Sequence, residues 1–308
     1  MQTVPHKNSG DNAPAMRHRL EKWNENEGGM KALILCAALV CLAAAADAAC
    51  PDTSLMHNAA RGWIAGQRVP DPLVRNMEDA NCAYASFRAI LEAELGPPVG
   101  VKVAFTSAGV QQAYGISEPM AGALFAPMLV GDGSRISLKG SRNPLYEADL
   151  VVTVGNPAIM RARTREDVAA NLRDVRPFIE LPDIALPRGV QPTGPLLASY
   201  GAMPWRGVLG QGIAISELAD PVADLAGLTS VLRVDGQVVH TARGDSLLDH
   251  PLDVVLWLVT RGNYDLKAGS IISLGSLGTF GPAQPGRRIE AEYTVGGRVM
   301  KVGATLVP

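Results

Sequence analysis

Apolar positions recur along the chain with two different periods, and the change between them divides it. In residues 54–67 Leu55, Ala59 and Trp63 fall at helical spacing behind Ser54, and Pro70 and Pro72 close the pattern. Residues 73–95 carry a second helical stripe through Ala80, Tyr84, Phe87, Leu91 and Leu95, ended by Gly96-Pro97-Pro98. After residue 100 short apolar runs take over, at 100–107, 123–129, 146–154, 176–181, 207–215, 229–234, 237–242, 270–274, 289–295 and 298–306. Asp235-Gly236 reads as a two-residue hairpin turn, and Gly296-Gly297 joins the last pair of runs. Helical patterns return after Thr106 or Ser107 as N-cap, at 165–173, and from His250-Pro251 to Arg261, with proline in the first turn. Many strands, few helices and late hairpins predict an α+β protein. Its core is a mixed, strongly bent sheet with flanking helices, and 49–98 forms an N-terminal helical segment that serves as a cap or subunit contact.

One run carries chemistry. Asn143-Pro144-Leu145-Tyr146-Glu147-Ala148-Asp149-Leu150-Val151-Val152-Thr153-Val154 reads as a strand starting just after a proline. Side chains at i and i+2 of a strand point the same way, so Glu147 and Asp149 share a face. Two like charges side by side on a strand that then turns apolar are costly unless a cation lies between them. Hard oxygen donors suit Mg2+, Ca2+ or Mn2+. Glu180 lies downstream in a similar setting, Phe178-Ile179-Glu180-Leu181-Pro182-Asp183. Spacing alone leaves a plainer reading open, in which Glu147 and Asp149 lie on the solvated face of an edge strand. Lys102 poses the same choice: it interrupts an apolar run, either as an exposed edge-strand lysine or as a lysine facing an anionic pocket.

Composition narrows the partners. A net charge of −2 and 5% aromatic residues over 308 residues argue against nucleic acid, an acidic membrane surface or a base-stacking platform. The apolar fraction of 47% and the 32 glycines fit a folded, turn-rich protein. Residues 1–29 are polar without periodicity and are expected to be disordered, or to precede the true start at Met30. Met30-Lys31, the apolar run 32–46 and Ala46-Asp47-Ala48 have the layout of a secretory signal peptide spanning 30–48. The expected location is therefore secreted or periplasmic, with no stable membrane span after cleavage, because the apolar run is short for one. Asp47 stands where a lipoprotein signal has an aliphatic residue, which disfavours lipid attachment at Cys50. Cleavage removes Cys36 and Cys41 and leaves Cys50 and Cys82, whose pairing the sequence leaves open. His57, alone on the first helix, reads as a surface residue.

The order of motifs over residues 54–308 resembles the 2-keto-4-pentenoate hydratase family of the fumarylacetoacetate hydrolase superfamily. The resemblance rests on Gly100-x-Lys102-x-x-x-Thr106-Ser107, Gly115-Ile116-Ser117-Glu118-Pro119-x-x-Gly122-x-Leu124, Glu147-Ala148-Asp149 and Ile179-Glu180-x-x-Asp183. Val208-Leu209-Gly210, the stretch from His250-Pro251-Leu252 to Trp257-Leu258, Leu266-Lys267-Ala268-Gly269 and Gly275-Ser276-Leu277-Gly278 continue it. It implies a β-roll-like catalytic domain over 99–308, a homo-oligomer, and a small-molecule 2-oxo acid or dienol substrate. It implies Mg2+ or Mn2+ held by Glu147, Asp149 and Glu180, acting as a Lewis acid toward the enolate at the 2-oxo oxygen. Lys102 falls on the family's pocket lysine and Ser276 in its glycine-rich turn, as candidate catalytic groups. Gly275 lies in the same substrate-facing turn, and Leu124 and Phe125 would form an apolar wall. The implied activity is a hydratase-type lyase. An oxalocrotonate-type decarboxylase or a secreted, non-catalytic 2-oxo-acid binder is the alternative. The chain departs from the family pattern at Asp149, where glutamate is usual, at Ser117, where aspartate is frequent, and at Tyr200-Gly201, in place of a polar pair.

Overall fold

The run that carries Glu147 and Asp149 is a strand in the middle of a sheet, not at an edge. The computed structural model describes residues 50–308 apart from Gly262. The polar start, the signal-peptide segment and Cys36 and Cys41 lie outside the described residues. The strands are β1 (Pro98–Ala104), β2 (Met120–Phe125), β3 (Leu129–Gly131), β4 (Arg135–Ser137), β5 (Leu145–Val154), β6 (Leu172–Leu181) and β7 (Arg206–Leu209). They continue with β8 (Ile213–Ala214), β9 (Thr229–Val234), β10 (Gln237–Arg243), β11 (Ile271–Ser276), β12 (Gly281–Pro282), β13 (Arg288–Val295) and β14 (Arg298–Val307). The helices are α1 (Thr53–Ile64), α2 (Met77–Leu95), α3 (Ala108–Ala113), α4 (Arg165–Ala170), α5 (Gly194–Ala198), α6 (Pro221–Ala226) and α7 (Pro251–Arg261).

The main curled sheet runs β2-β1-β11-β5-β6-β7-β3, with β12 added beside β5 and β8 beside β6. Its β1–β11 and β3–β7 pairs are parallel and the rest antiparallel, so the sheet is mixed as expected. A second sheet runs β10-β9-β13-β14-β4. Alternation along β5 sends Ala148, Leu150, Val152 and Val154 into the main core, beside Val101, Val103, Ile179 and Leu181. The opposite face of β5 carries Glu147, Asp149 and Val151. There Val151 joins Leu124, Phe178 and Ile271 in a small separate apolar cluster. Tyr293 of β13 ties the two sheets together: its buried hydroxyl lies 2.6 Å from the Asp149 carbonyl and 2.8 Å from that of Phe178.

Several boundaries differ from the periodicity. The second helix starts at Met77 rather than residue 73, because Asn76 caps it through the Asp79 N–H and Leu73 takes a left-handed φ of 56°. The helix expected over 165–173 stops at Ala170, since Leu172 pairs with Val154 and starts β6. The run 207–215 divides into β7 and β8. The run 123–129 contains the end of β2, a 3₁₀ turn and β3. In the last three cases strand pairing outranks local propensity.

The N-terminal helices are packed onto the sheet domain. Tyr84 accepts from the Ala123 N–H at 2.6 Å, Tyr200 donates to the Pro70 carbonyl at 2.7 Å, and Phe87 meets Tyr200 edge-on at 5.0 Å. A disulfide joins Cys50 to Cys82 across 32 residues of chain and fastens the segment before α1 to α2. A loop of that length closed by a native disulfide is worth about 3–4 kcal/mol. Cys82→Ser is expected to lower the unfolding free energy by that amount in chemical denaturation, and an unchanged denaturation midpoint would refute the staple.

Candidate active site

The strand register gathers five polar side chains on one face of the main sheet. Lys102 on β1 pairs with Ser273 on β11, and Ser273 pairs with Val151 on β5. Glu147 on β5 stands opposite Glu180 on β6. Facing follows register, so Lys102, Ser273, Asp149, Glu147 and Glu180 are neighbours on the side opposite the main core. Lys102, Asp149 and Glu180 are at most 3% exposed, and Glu147 is half-buried. The readings of Glu147 and Asp149 as solvated edge residues, and of Lys102 as an exposed lysine, are therefore overturned: β5 and β1 each have a strand on both sides.

Lys102 Nζ makes a buried ion pair with Glu180 Oε1 and donates to the Ala202 carbonyl at 3.3 Å. Burial alone would lower the Lys102 pKa, but Glu180, Glu147 and Asp149 together outweigh it and raise the pKa, so the ammonium stays charged. Burial, then repulsion from Glu180, pushes Glu147 up to about 8 and Asp149 up to about 7. For Asp149, the hydrogen bond from Ser273 and the charge of Lys102 oppose that rise.

Asp149 is held rigidly. Its Oδ1 accepts from the Leu150 N–H at 2.5 Å and the Gly275 N–H at 3.0 Å, and its Oδ2 accepts from the Ser273 hydroxyl. A carboxylate oxygen offers about two lone pairs. Oδ1 is thus saturated and Oδ2 keeps one, so Asp149 can offer a further partner one oxygen only. Both Glu180 oxygens are buried without a hydrogen-bond partner, Oε1 having only its ion pair to Lys102.

The surrounding backbone is strained where it closes on these groups. Gly275 has a φ of 102°, and a Cβ there would overlap the Thr106 hydroxyl. Gly201, Ala202 and Met203 are all left-handed, with φ of 59°, 58° and 50°. A run of this kind costs about 1–2 kcal/mol for each non-glycine residue. It presents the Ala202 carbonyl to Lys102, and Gly122, the cross-strand neighbour of Lys102, lets the Gly201 carbonyl approach because it lacks a Cβ. Backbone strain of this kind concentrates at functional sites.

The other sequence-derived candidates are placed as follows. Gly275 reaches the site through its N–H. Ser276 pairs with Asp149 in register, but its hydroxyl turns to the Gly278 carbonyl at 3.2 Å. Leu124 lies on the site face with Val151 and Phe178. Phe125, the next residue in the strand, points to the other face and packs in the main core. Sequence reasoning missed Ser273, the Ala202 carbonyl and Tyr293. Only Ser273 left a trace, as a hydroxyl inside the apolar run Ile271-Ile272-Ser273-Leu274.

Hard, anionic oxygen donors and an under-partnered Glu180 fit a divalent hard cation in chemistry. Among the described residues, no three Asp, Glu, His or Cys side chains are gathered as they stand into an arrangement that could hold one, and the Lys102 ammonium lies against Glu180.

The family model "Fumarylacetoacetate (FAA) hydrolase C-terminal" matches residues 107–304. The chain belongs to the fumarylacetoacetate hydrolase family. Among its relatives, 2-hydroxyhexa-2,4-dienoate hydratase of Comamonas testosteroni is 30% identical over 223 residues, 70% of this chain and 81% of that protein. The 2-keto-4-pentenoate hydratase of Paraburkholderia xenovorans (strain LB400) is 30% identical over 207 residues, 65% of this chain and 74% of that protein. Among solved structures, 4-oxalocrotonate decarboxylase from Pseudomonas putida G7, complexed with magnesium and adipate, superposes with a TM-score of 0.72. It is 23% identical and covers 83% of this chain and 97% of its own, a likeness of fold. Fumarylpyruvate hydrolase from Pseudomonas aeruginosa, in complex with Mn2+ and pyruvate, gives a TM-score of 0.51 at 14% identity, covering 67% of this chain and 88% of its own. Family membership agrees with the resemblance read from the motifs. The mixed α+β fold with N-terminal helices agrees with the expected architecture.

Glu147 and Asp149 keep protons in the folded chain that the unfolded chain releases nearer their ordinary values of 4.5 and 3.8. Their contribution to stability is full below those unfolded values and is lost as pH rises through about 7 and about 8. Thermal melts in chelator should show Tm falling between about pH 5 and about pH 8.5. Glu147→Gln should flatten the fall, and a Tm independent of pH across that window would contradict the burial of these carboxylates.

Proposed function

We propose that the protein is a divalent-metal-dependent lyase of the hydratase type, acting on a short 2-hydroxydienoate or its 2-oxo form. The observation that carries this reading is a single sheet face bearing three carboxylates and one ammonium beside an apolar floor, in a chain of this family. The hydratases that are 30% identical over the aligned 223 and 207 residues support the substrate class.

On this reading Glu147, Glu180 and the one free lone pair of Asp149 Oδ2 hold Mg2+ or Mn2+. The ion, when bound, supplies Lewis acidity toward the 2-oxo oxygen of the substrate. Ser273 and the Gly275 N–H keep Asp149 in place. Lys102, kept protonated by its carboxylate neighbours, holds the substrate carboxylate or a transferable proton at Nζ. Leu124, Val151 and Phe178 take the hydrocarbon part of the substrate and exclude stray water. The Ser276 hydroxyl and the turn around it line the approach. The Cys50–Cys82 disulfide supports export to an oxidising compartment after cleavage of 30–48, which N-terminal sequencing of the exported protein tests.

The decisive assay follows loss of dienol absorbance from 2-hydroxypenta-2,4-dienoate with Mg2+ or Mn2+. Lys102→Ala and Glu180→Gln are each expected to lower kcat/KM at least about 100-fold. Mg2+ should raise Tm at pH 8 in the wild type and not in Glu147→Ala. Metal stabilisation without turnover would leave a non-catalytic 2-oxo-acid binder. CO2 release from 4-oxalocrotonate without hydration would assign the decarboxylase instead.

A further inference from the structure

A concavity lies behind the sheet, away from Glu147, Asp149 and Glu180. Arg206 of β7 pairs with Leu181 of β6, while its neighbour Gly207 pairs with Glu180. Alternation therefore puts Arg206 on the face turned away from Glu180. A cavity of about 340 Å³ opens there, walled by Trp63, Leu95, Lys139, Arg142, Trp205 and Arg206 among others. Three of these are cations and two are indoles. No Asp or Glu among the described residues lines it.

Among the described residues, Asp183 is the one carboxylate paired with these three cations. The Arg142 side chain is 6% exposed. Its Nε faces Asp183 at 3.1 Å, its Nη1 donates to the Trp63 and Gly140 carbonyls, and its Nη2 is buried without a hydrogen-bond partner. Asp183 is already engaged by the backbone N–H groups of Arg142 and Asn143. Arg68, which donates to the Arg142 carbonyl at 2.9 Å, adds repulsion. Burial pulls Arg206 below its ordinary pKa, with no carboxylate opposing it, and among the described residues its guanidinium hydrogen-bonds to the Trp205 carbonyl alone, at 3.0 Å. A guanidinium cannot shed its proton at accessible pH, so only an anion can offset this burial. Each guanidinium is also steadied over an indole, Arg142 5.4 Å from Trp63 and Arg206 5.0 Å from Trp205.

We propose that this cavity is a second ligand site, separate from the carboxylate face, and that it takes a small aromatic carboxylate. The charged end meets Arg142 and Arg206, and the ring lies against Trp63 and Trp205. An inorganic anion would satisfy the arginines but leave the indole walls unused.

The test is a titration of the full chain with benzoate in EDTA, read by tryptophan fluorescence and calorimetry. Saturable binding is expected, weakened at least about 10-fold in Arg206→Gln and less in Arg206→Lys. It should be unchanged in Glu180→Gln, which separates this site from the proposed catalytic one. Phosphate should bind more weakly than benzoate. Benzoate binding that is absent, that survives Arg206→Gln or that is lost in Glu180→Gln overturns the proposal. So does phosphate binding as tight as benzoate. A wild-type oligomer that ignores benzoate and dissociates in Arg206→Gln overturns it too, since a second copy of the chain would then cover the cavity.

Discussion

The structure turns on the buried pair Lys102–Glu180 and the charge imbalance around it. Three carboxylates and one ammonium share one face of one sheet, so the formal sum is 1 − 3 = −2. Removing such a group from water costs several kcal/mol per ion unless counter-charge or protons make up the deficit. Burial first, and then repulsion from Glu180, raises the proton affinity of Glu147 and Asp149 and so makes up part of that deficit. Their neighbours serve the same end. Ser273 and Gly275 donate to Asp149, the left-handed turn at Gly201–Met203 turns a carbonyl to Lys102, and Tyr293 caps two β-strand carbonyls beneath the site.

How much of this was legible in the sequence depended on whether the deciding interaction was local. The shared face of Glu147 and Asp149 follows from a period of two, and the Ser107 N-cap and the Asp235-Gly236 turn follow from short-range chemistry, so these could be read directly. Whether β5 was central or at an edge could not, because strand neighbours lie far apart in the chain: β11 and β6 flank it. Residue spacing alone favoured neither lysine reading for Lys102; its place between β2 and β11 settled it. Phe125 shows the limit of family-level transfer without facing. One residue beyond Leu124, it belongs to the opposite side of the sheet. The turn at Gly201–Met203 was invisible for another reason, since Ala202 and Met203 are residue types that give no hint of positive φ.

Asp149, one of the positions at which the chain departs from the pattern it resembles, has a physical account. A side chain one methylene shorter than glutamate stays closer to its own strand. Here it meets a hydroxyl on the next strand and two backbone N–H groups. Those bonds fix its rotamer and consume most of its acceptor capacity. The shorter acid is thus firmly oriented, with one lone pair left on Oδ2. Ser273 is the side chain that makes the substitution workable, because an apolar residue at that position would leave Asp149 Oδ2 buried and unpaired.

On the proposed function, Glu180 has two claimants. Lys102 is its counter-ion in the structure described, and a divalent cation would compete for the same oxygens. The competition has a direction. The deficit of −2 already counts Lys102, so a doubly charged ion would bring the face to neutrality with the ammonium still charged. Glu147 and Asp149 would lose their protons as the ion enters, which makes binding favour higher pH. Lys102 would then face the space beside Leu124 and Val151 with its proton still in place. Lys102, costly to bury in the resting protein, would thus remain a charged donor beside Glu180 once such an ion had made up the deficit.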